Sequence, residues 1–203
     1  MTTDESYGQR AGLLGHYWFL TFEHALELHA LTTDIQQAMP MTDFVPVPAT
    51  DLHLTLDRIA RPARRTTQQL DSIARAAQHA CRDRTPFTVR IAGVINLHGA
   101  LALTLDFPNR IRELRDALRT ATLSVYPAAP FKDSTTEPHI TIAYPITDEQ
   151  SADANAIADR LNETITDVRV KVSEAELVLL ERHPHAYSWT ATSRIPLGGN
   201  TNR

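Results

Sequence analysis

Two short segments of the chain share one pattern, in which a histidine and a threonine alternate with branched aliphatic residues. They read HLTL at 53–56 and HITI at 139–142. Because successive side chains of a strand point to opposite faces, each segment predicts a β-strand with its histidine and threonine on one face. The aliphatic residues on the other face are expected to pack on the core, which leaves the polar face to border a cleft.

The predicted elements around these segments occur twice in the same order. Hydrophobic periodicity predicts strand-helix-strand-helix-strand from about residue 16 to 94, the same order from about 100 to 180, and one further strand from Tyr187 to Ile195. The strand openings at about 16 and 100 differ by roughly 84 positions. His53 and His139 differ by 86. The matching offsets indicate a duplicated chain.

The duplication predicts one two-lobed domain over residues 1–203, of class α+β. Its βαβαβ repeat units, at about 14–95 and 99–197, are expected to form two lobes with antiparallel sheets around a central cleft. The ends, 1–12 and 198–203, are expected to be flexible. Thr66 or Thr67 is expected to cap the second helix, Asn109 the third, and residues 96–99 to turn the chain between two strands.

Composition limits the class of protein. Lys and Arg total 20 against 24 Asp and Glu, a formal net charge of −4, so no overall field attracts the chain to nucleic acid or anionic membranes. The single cysteine, Cys81, excludes an intrachain disulfide and fits a reducing compartment. No apolar run reaches the roughly 18 residues of a membrane span. We therefore expect a cytoplasmic monomer with no membrane contact and no obligate protein partner.

The paired motifs resemble the two H-x-T-x signatures of the 2H phosphoesterase superfamily, the group of 2′-5′ RNA ligase-like proteins and cyclic phosphodiesterases. The resemblance covers nearly the whole chain, because that superfamily has a duplicated, two-lobed α+β fold of this size. It implies hydrolysis of a 2′,3′-cyclic or 2′-5′ phosphodiester in a nucleotide or RNA end, without metal or cofactor, and with inefficient reverse ligation. By motif position, His53 and His139 take the acid and base roles, and Thr55 and Thr141 contact phosphate.

The chemistry of these residue types favours the same assignment. Opening a cyclic phosphodiester in line requires a base on the attacking water and an acid on the departing ribose oxygen, on opposite sides of phosphorus. Two histidines related by a duplication could supply both, one neutral and one protonated near pH 7. Threonine hydroxyls can donate to the nonbridging oxygens. The sequence leaves open which histidine is the acid.

Aromatic residues near the motifs are candidate contacts for a base. Many 2′-5′ ligase-like proteins carry a basic residue shortly after the second motif, whereas here Tyr144 and Pro145 follow it, so a phosphate clamp is expected to be missing. Tyr144 could donate its hydroxyl or stack on a base, as could Trp18 or Tyr17 from the first strand. Packing in the core or at its rim is an equal alternative for all three.

Basic residues near the motifs are candidate contacts for phosphate. Lys132, in the loop before the second motif, could neutralise a phosphate. Arg58 begins a basic cluster that could receive an oligonucleotide tail or form a solvated surface. The other members of the cluster are Arg61, Arg64 and Arg65.

Two further functions fit the same residues. A noncatalytic module could use the histidines only to bind an RNA end or nucleotide. A metallohydrolase could place Asp51 or Asp57 beside His53 around an ion, although threonine stands where a metal would favour another strong ligand. No P-loop, dinucleotide-binding glycine pattern or zincin helix occurs in the sequence. The remaining histidines are expected to lie in surfaces, turns or packing: His16, His24, His29, His79, His98, His183 and His185.

Overall fold

The computed structural model describes residues 11–40, 42–61, 66–132, 136–146, 154–183 and 186–198. Its strands are β1 (Gly12–Thr21), β2 (Phe44–Pro46), β3 (His53–Ala60), β4 (Phe87–Leu97), β5 (Ala100–Leu105), β6 (His139–Pro145), β7 (Arg169–Val172), β8 (Glu174–His183) and β9 (Ala186–Pro196). Its helices are α1 (Leu26–Gln37), α2 (Thr67–Cys81), α3 (Asn109–Val125) and α4 (Ala154–Asn162). None of the helices in these ranges is both long and apolar enough to cross a membrane.

The strands form two sheets in which every pairing is antiparallel. The first sheet has the order β3-β1-β8-β9, and the second has the order β2-β6-β5-β4-β7. The predicted α+β class with two antiparallel sheets is confirmed. The third main strand of each half completes the sheet of the other half, since β4 pairs with β5 and β8 pairs with β1. The two sheets are therefore tied together by both halves of the sequence.

The turn between β4 and β5 occurs where the sequence predicts it. His98 and Gly99 both have positive φ, 52° and 96°, as a two-residue hairpin of this hand requires. The Asn96 side chain accepts a hydrogen bond from the Gly99 N–H at 2.8 Å. This tight turn sets the register of β5, which lies beside β6 and its histidine.

The aliphatic residues of both motifs are buried, as their alternation predicts: Leu54, Leu56, Ile140 and Ile142. They belong to the main hydrophobic core. Burying a branched aliphatic side chain contributes roughly 1.5–3 kcal/mol, so these residues hold both histidine-bearing strands firmly in place.

The two predicted helix caps have different outcomes. The Thr66 side chain accepts from the Gln69 N–H, and the Gln69 side chain accepts from the Thr66 N–H, which is a capping box at the start of α2. The prediction for Asn109 is wrong. It is the first residue of α3 rather than its cap, and its side chain accepts a hydrogen bond from Arg112 instead.

Two predicted strand limits also differ from the structure. The first strand begins at Gly12 rather than near residue 16, because Gly12 already pairs with Arg182 of β8. The last strand of the second repeat, which was predicted to end near residue 180, is two strands interrupted at Ser173, since β7 belongs to the second sheet and β8 to the first. Most of the ends predicted to be flexible lie outside the described residues.

The two histidine-bearing strands occupy different positions in their sheets. β3 is an edge strand, whereas β6 lies between β2 and β5. The edge position allows β3 to approach β6 across the boundary between the sheets.

Candidate active site

The two histidines of the repeated motif begin the strands that carry them. His53 is the first residue of β3, and His139 is the first residue of β6. Both are partly buried. The next residues, Leu54 and Ile140, are buried in the core on the opposite face. Strand alternation thus places each histidine on the face opposite to its buried aliphatic neighbour, as predicted.

Each imidazole is held by the same kind of hydrogen bond. Nδ1 of His53 lies 2.9 Å from the backbone oxygen of Asp51, and Nδ1 of His139 lies 2.8 Å from that of Glu137. A carbonyl oxygen only accepts, so Nδ1–H donates in both cases. Nε2 is therefore the nitrogen of each ring that is available to take up or release a proton.

Aromatic rings enclose His53. Its imidazole stacks on Phe19 of β1, with ring centroids 4.4 Å and ring planes 14° apart. Trp189 of β9 meets the imidazole edge-on at 4.8 Å and also contacts Phe19 at 5.6 Å. Sequence reasoning missed both aromatic residues. For Trp189 a signal was present in the sequence, because Tyr187 and Trp189 alternate along the last strand and so lie on one of its faces.

Electrostatics favours the neutral form of His53. Burial lowers its pKa below the ordinary value, the carbonyl and charge of Asp51 oppose this, and the positive charge of His139 lowers the pKa further. The effect of His139 indicates that the two imidazoles lie within electrostatic range of each other.

A cavity of about 540 Å³ is lined by His139, whereas His53 is not among the described residues that line it. Thr55 and His139 both line it, together with Arg58 and Lys132. Thr55 is exposed and Thr141 partly buried. Among the described residues, no hydrogen-bond partner of either threonine side chain is found. The structure therefore brings Thr55, His139 and two of the predicted basic residues to one cavity, and Thr141 follows two residues after His139 on β6.

Of the two alternatives for Trp18, the structure contradicts contact with a substrate and agrees with packing in the core. Its side chain is fully buried, and its indole N–H donates to the hydroxyl of Thr122 on α3 at 3.0 Å. Tyr17 lines the cavity, and Phe19 contacts His53. Strand alternation explains the difference, because residues 17 and 19 share one face of β1 and Trp18 points to the other.

The other candidate contacts are placed as follows. The Tyr144 ring packs against the core and contacts Tyr187 of β9 at 5.5 Å. Tyr144 is not among the described residues that line the cavity, so its contact with substrate stays a prediction. Arg58 lines the cavity but donates to the carbonyl of Leu14 at 2.7 Å. Lys132 is exposed. Arg64 and Arg65, the other members of the basic cluster besides Arg61, lie outside the described residues.

A bulge in β3 changes the position of Asp57. Trp18 pairs with Asp57 and Phe19 pairs with Thr55, so Leu56 is an additional residue in the strand. The bulge reverses the alternation after Thr55. Asp57 therefore shares a face with the buried Trp18 rather than with the histidine.

The Asp57 carboxylate is bound by an arginine. Arg119 of α3 donates to its two oxygens at 2.6 and 2.8 Å. Burial raises the pKa of Asp57, and Arg119 opposes that shift. The alternative metal site required Asp57 to lie beside His53 as a ligand, and the structure does not place it there. No group of three or more His, Cys, Asp or Glu in the described part of the chain is arranged to hold a metal ion.

Three of the remaining histidines have defined environments. His29 bonds to the backbone oxygen of Phe22 at 2.7 Å, and His183 bonds to the Ser188 hydroxyl at 2.7 Å. These contacts agree with the predicted structural roles. His98 lies in the predicted turn but also lines the cavity, which its position in the sequence did not indicate.

The sequence model of the 2′-5′ RNA ligase superfamily matches residues 32–184, which include both histidine motifs and the strands β3 and β6 that carry them. This chain belongs to the 2′-5′ RNA ligase superfamily. The predicted membership of the 2H phosphoesterases, which contain the 2′-5′ RNA ligase superfamily, is thereby confirmed. No curated protein sequence matches the chain significantly.

Solved structures share the fold of this 2′-5′ RNA ligase superfamily member. TT0787 of Thermus thermophilus is 19% identical, with a TM-score of 0.69 over 92% of this chain and 100% of that one. E. coli LigT complexed with 3′-AMP is 16% identical, with a TM-score of 0.68 over 91% and 98%. Usb1 of Kluyveromyces marxianus is 12% identical, with a TM-score of 0.58 over 90% and 97%.

Proposed function

We propose that this chain is a phosphodiesterase that hydrolyses a 2′,3′-cyclic or 2′-5′ phosphodiester of a nucleotide or RNA end. In this proposal His53 and His139 are the acid-base pair, and no metal ion takes part. The observation that carries it is the matched anchoring of both imidazoles through Nδ1 by backbone oxygens. This arrangement leaves the Nε2 atom of each histidine for proton transfer, and His139 lines a cavity large enough for a nucleotide-sized ligand.

We assign the base to His53 and the acid to His139. Burial lowers the pKa of His53, so its Nε2 is unprotonated at neutral pH and can accept a proton from water. The positive charge of a protonated His139 opposes protonation of His53, which disfavours the state in which both rings are protonated.

The proposed reaction transfers one proton at each side of phosphorus. Nε2 of His53 takes a proton from water as the water oxygen bonds to phosphorus. The bond from phosphorus to one ribose oxygen breaks, and Nε2 of His139 protonates that oxygen. The product is a nucleoside 2′- or 3′-phosphate, and exchange of one proton with solvent restores the two histidines. The hydroxyls of Thr55 and Thr141 donate to the nonbridging oxygens, whose charge grows as the bond breaks.

Ligands of a protein with the same fold support a nucleotide substrate. Solved structures of E. coli LigT hold 3′-AMP, NADP+, phosphate and ATP. A nucleoside 3′-phosphate is one product of the proposed hydrolysis. The likeness concerns the fold, so we take the ligand class only as support for the choice of substrates to test.

The test is a hydrolysis assay with 2′,3′-cyclic mononucleotides, ADP-ribose cyclic phosphate and 2′-5′-linked oligonucleotides, with and without EDTA. We expect turnover that EDTA does not reduce, and product analysis by phosphorus NMR identifies the 2′- or 3′-phosphate. His53→Ala and His139→Ala are each expected to reduce kcat by about a thousandfold, the range of general acid-base catalysis. His79→Ala is the matched control, because His79 is an exposed histidine on α2.

Three results would contradict the proposal. Full activity in either histidine variant would remove the acid-base pair. Loss of activity in EDTA, restored by a divalent cation, would indicate a metallohydrolase. Binding of 3′-AMP without turnover of any substrate in the panel would indicate a noncatalytic nucleotide-binding module.

A further inference from the structure

We propose that the cavity lined by Thr55 and His139 contains a second phosphate subsite formed by Arg61 and Lys132, and that the preferred substrate therefore carries a further phosphate besides the reacting one. This inference rests on the proposed function and names the substrate class of the same site. The ligand class is a nucleotide with a second phosphate, such as an oligonucleotide end or a 5′-phosphorylated nucleotide.

The cavity extends from the catalytic motifs to the beginning of α3. Thr55 and His139 line it, and so do Arg61 after β3 and Lys132 in the loop before β6. Its volume of about 540 Å³ is larger than a single phosphate needs and lies within the usual range of small-molecule sites. A ligand bound there can reach both the reacting centre and the basic residues.

The charge of the cavity lining is opposite to that of the chain. Among the described residues, five cationic side chains and two carboxylates line the cavity, although acidic residues outnumber basic ones in the sequence, 24 to 20. The cationic residues are Arg58, Arg61, Arg112, Arg115 and Lys132, and the carboxylates are Asp57 and Glu137. Such a local excess favours an anion with more than one charge.

Both carboxylates at the cavity are already paired. Asp57 binds Arg119, and Glu137 binds Arg112. The two acids therefore leave the charges of Arg61 and Lys132 unneutralised.

Arg61 and Lys132 are the cations best able to bind a ligand. Both side chains are exposed, and neither has a hydrogen bond or ion pair with any described residue. Arg58, in contrast, already donates to the backbone of Leu14. Arg115 already bonds to Asp116. A guanidinium and an ammonium at one cavity can hold a phosphate by charge-assisted hydrogen bonds.

The test compares the binding of two ligands that differ by one phosphate. Isothermal titration measures Kd for 3′-AMP and for adenosine 3′,5′-bisphosphate with the wild type and with Arg61→Gln/Lys132→Gln. We expect the bisphosphate to bind at least about tenfold more tightly to the wild type, as two charge-assisted contacts allow. In the double variant the preference is expected to fall below about threefold. A higher salt concentration is expected to weaken the bisphosphate more than 3′-AMP.

The control variant is Arg82→Gln. Arg82 is an exposed arginine that lines a different cavity, with Arg75 and Pro196. It is expected to leave the preference for the bisphosphate unchanged. No preference in the wild type, an unchanged preference in the double variant, or the same loss in Arg82→Gln would each overturn the subsite.

A second measurement identifies the source of the further phosphate. The ratio of kcat/KM for a dinucleotide ending in a 2′,3′-cyclic phosphate to that for the cyclic mononucleotide tests an internal phosphodiester. The same ratio for a 5′-phosphorylated cyclic mononucleotide tests a terminal phosphate. A ratio of one for both substrates would contradict the inferred substrate class. The binding assay needs no turnover. A catalytically inactive wild type would therefore contradict the proposed function, whereas the Kd values of 3′-AMP and the bisphosphate would still decide whether the subsite exists.

Discussion

The imidazole of His53 stacks on the ring of Phe19, with centroids 4.4 Å apart. Phe19 pairs with Thr55 across β1 and β3, so the ring that covers the histidine also lies beside the threonine of the same motif. An aromatic ring displaces water from the imidazole and disfavours its charged form. The stack therefore connects the packing of the first sheet to the protonation of the proposed base.

Replacing Phe19 by leucine is expected to raise the pKa of His53 toward its ordinary value. At pH 6 more of the base is then protonated, so the acidic limb of the kcat/KM profile moves to higher pH. The measurement is the pH-rate profile with NMR titration of the imidazole protons. Phe107→Leu, at an exposed phenylalanine, is the control. An unchanged His53 titration would show that Phe19 does not set its protonation.

The lowered pKa of His53 also predicts how stability depends on pH. The pKa of His53 is lower in the folded chain than its value of 6.5 in the unfolded chain. At a pH between these two pKa values the unfolded chain binds a proton that the folded chain does not bind, so the free energy of unfolding decreases as pH falls below about 6.5. In His53→Gln this part of the pH dependence of the free energy of unfolding is expected to disappear. Urea unfolding at several pH values measures it, with the exposed His79→Gln as control. The same pH dependence in His53→Gln would assign it to another group.

The threonines of the two motifs are expected to act on the reaction rather than on folding. Thr55→Val or Thr141→Val removes a donor to a charged phosphate, a contact of about 1.5–3 kcal/mol, so kcat/KM decreases about tenfold to a hundredfold. Steady-state kinetics and thermal unfolding separate the two effects. Thr55→Ser keeps the hydroxyl and is expected to retain activity, while Thr88→Val on the exposed face of β4 is a control. Equal losses in serine and valine variants would contradict this role.

The two tryptophans are expected to respond differently to replacement by phenylalanine. Trp18→Phe removes the hydrogen bond to Thr122 in the core, so it lowers stability by about 1–3 kcal/mol and leaves kcat per folded molecule unchanged. Trp189→Phe alters the edge contact with His53 and is expected to change the pH-rate profile. Chemical denaturation and kinetics on the same preparations compare them. A change in kcat for Trp18→Phe alone would reverse the assignment of the two residues.

The ion pair of Arg119 and Asp57 is expected to be essential for stability only while Asp57 is charged. Arg119→Met leaves a buried carboxylate without its partner, which is expected to lower the free energy of unfolding by about 3–5 kcal/mol. Adding Asp57→Asn removes that charge and is expected to restore a large part of the loss. Urea unfolding of both variants is the measurement. If the double variant were no more stable than Arg119→Met, the loss would come from packing.

Local patterns in the sequence predicted those features of the site that depend on a single strand or helix. The alternation of HLTL and HITI placed His53 and His139 on one face of each strand, and Thr66 formed the cap that its position predicts. The alternatives for Trp18 are separated by the alternation of β1, which places residues 17 and 19 on one face and the buried Trp18 on the other. Asp57 was misplaced because a bulge has no clear pattern of its own in a sequence of this kind.

The sequence by itself determined the two strands, the faces of their histidines and the family, because alternation and motif spacing are properties of the chain that strand geometry translates directly. Only the tertiary structure decided that Phe19 and Trp189 enclose His53, that β3 is an edge strand, and that Arg61 and Lys132 border one cavity. The physical reason is that these relationships depend on the pairing order of the strands and on a bulge. Both are set by packing among residues far apart in the chain rather than by neighbours.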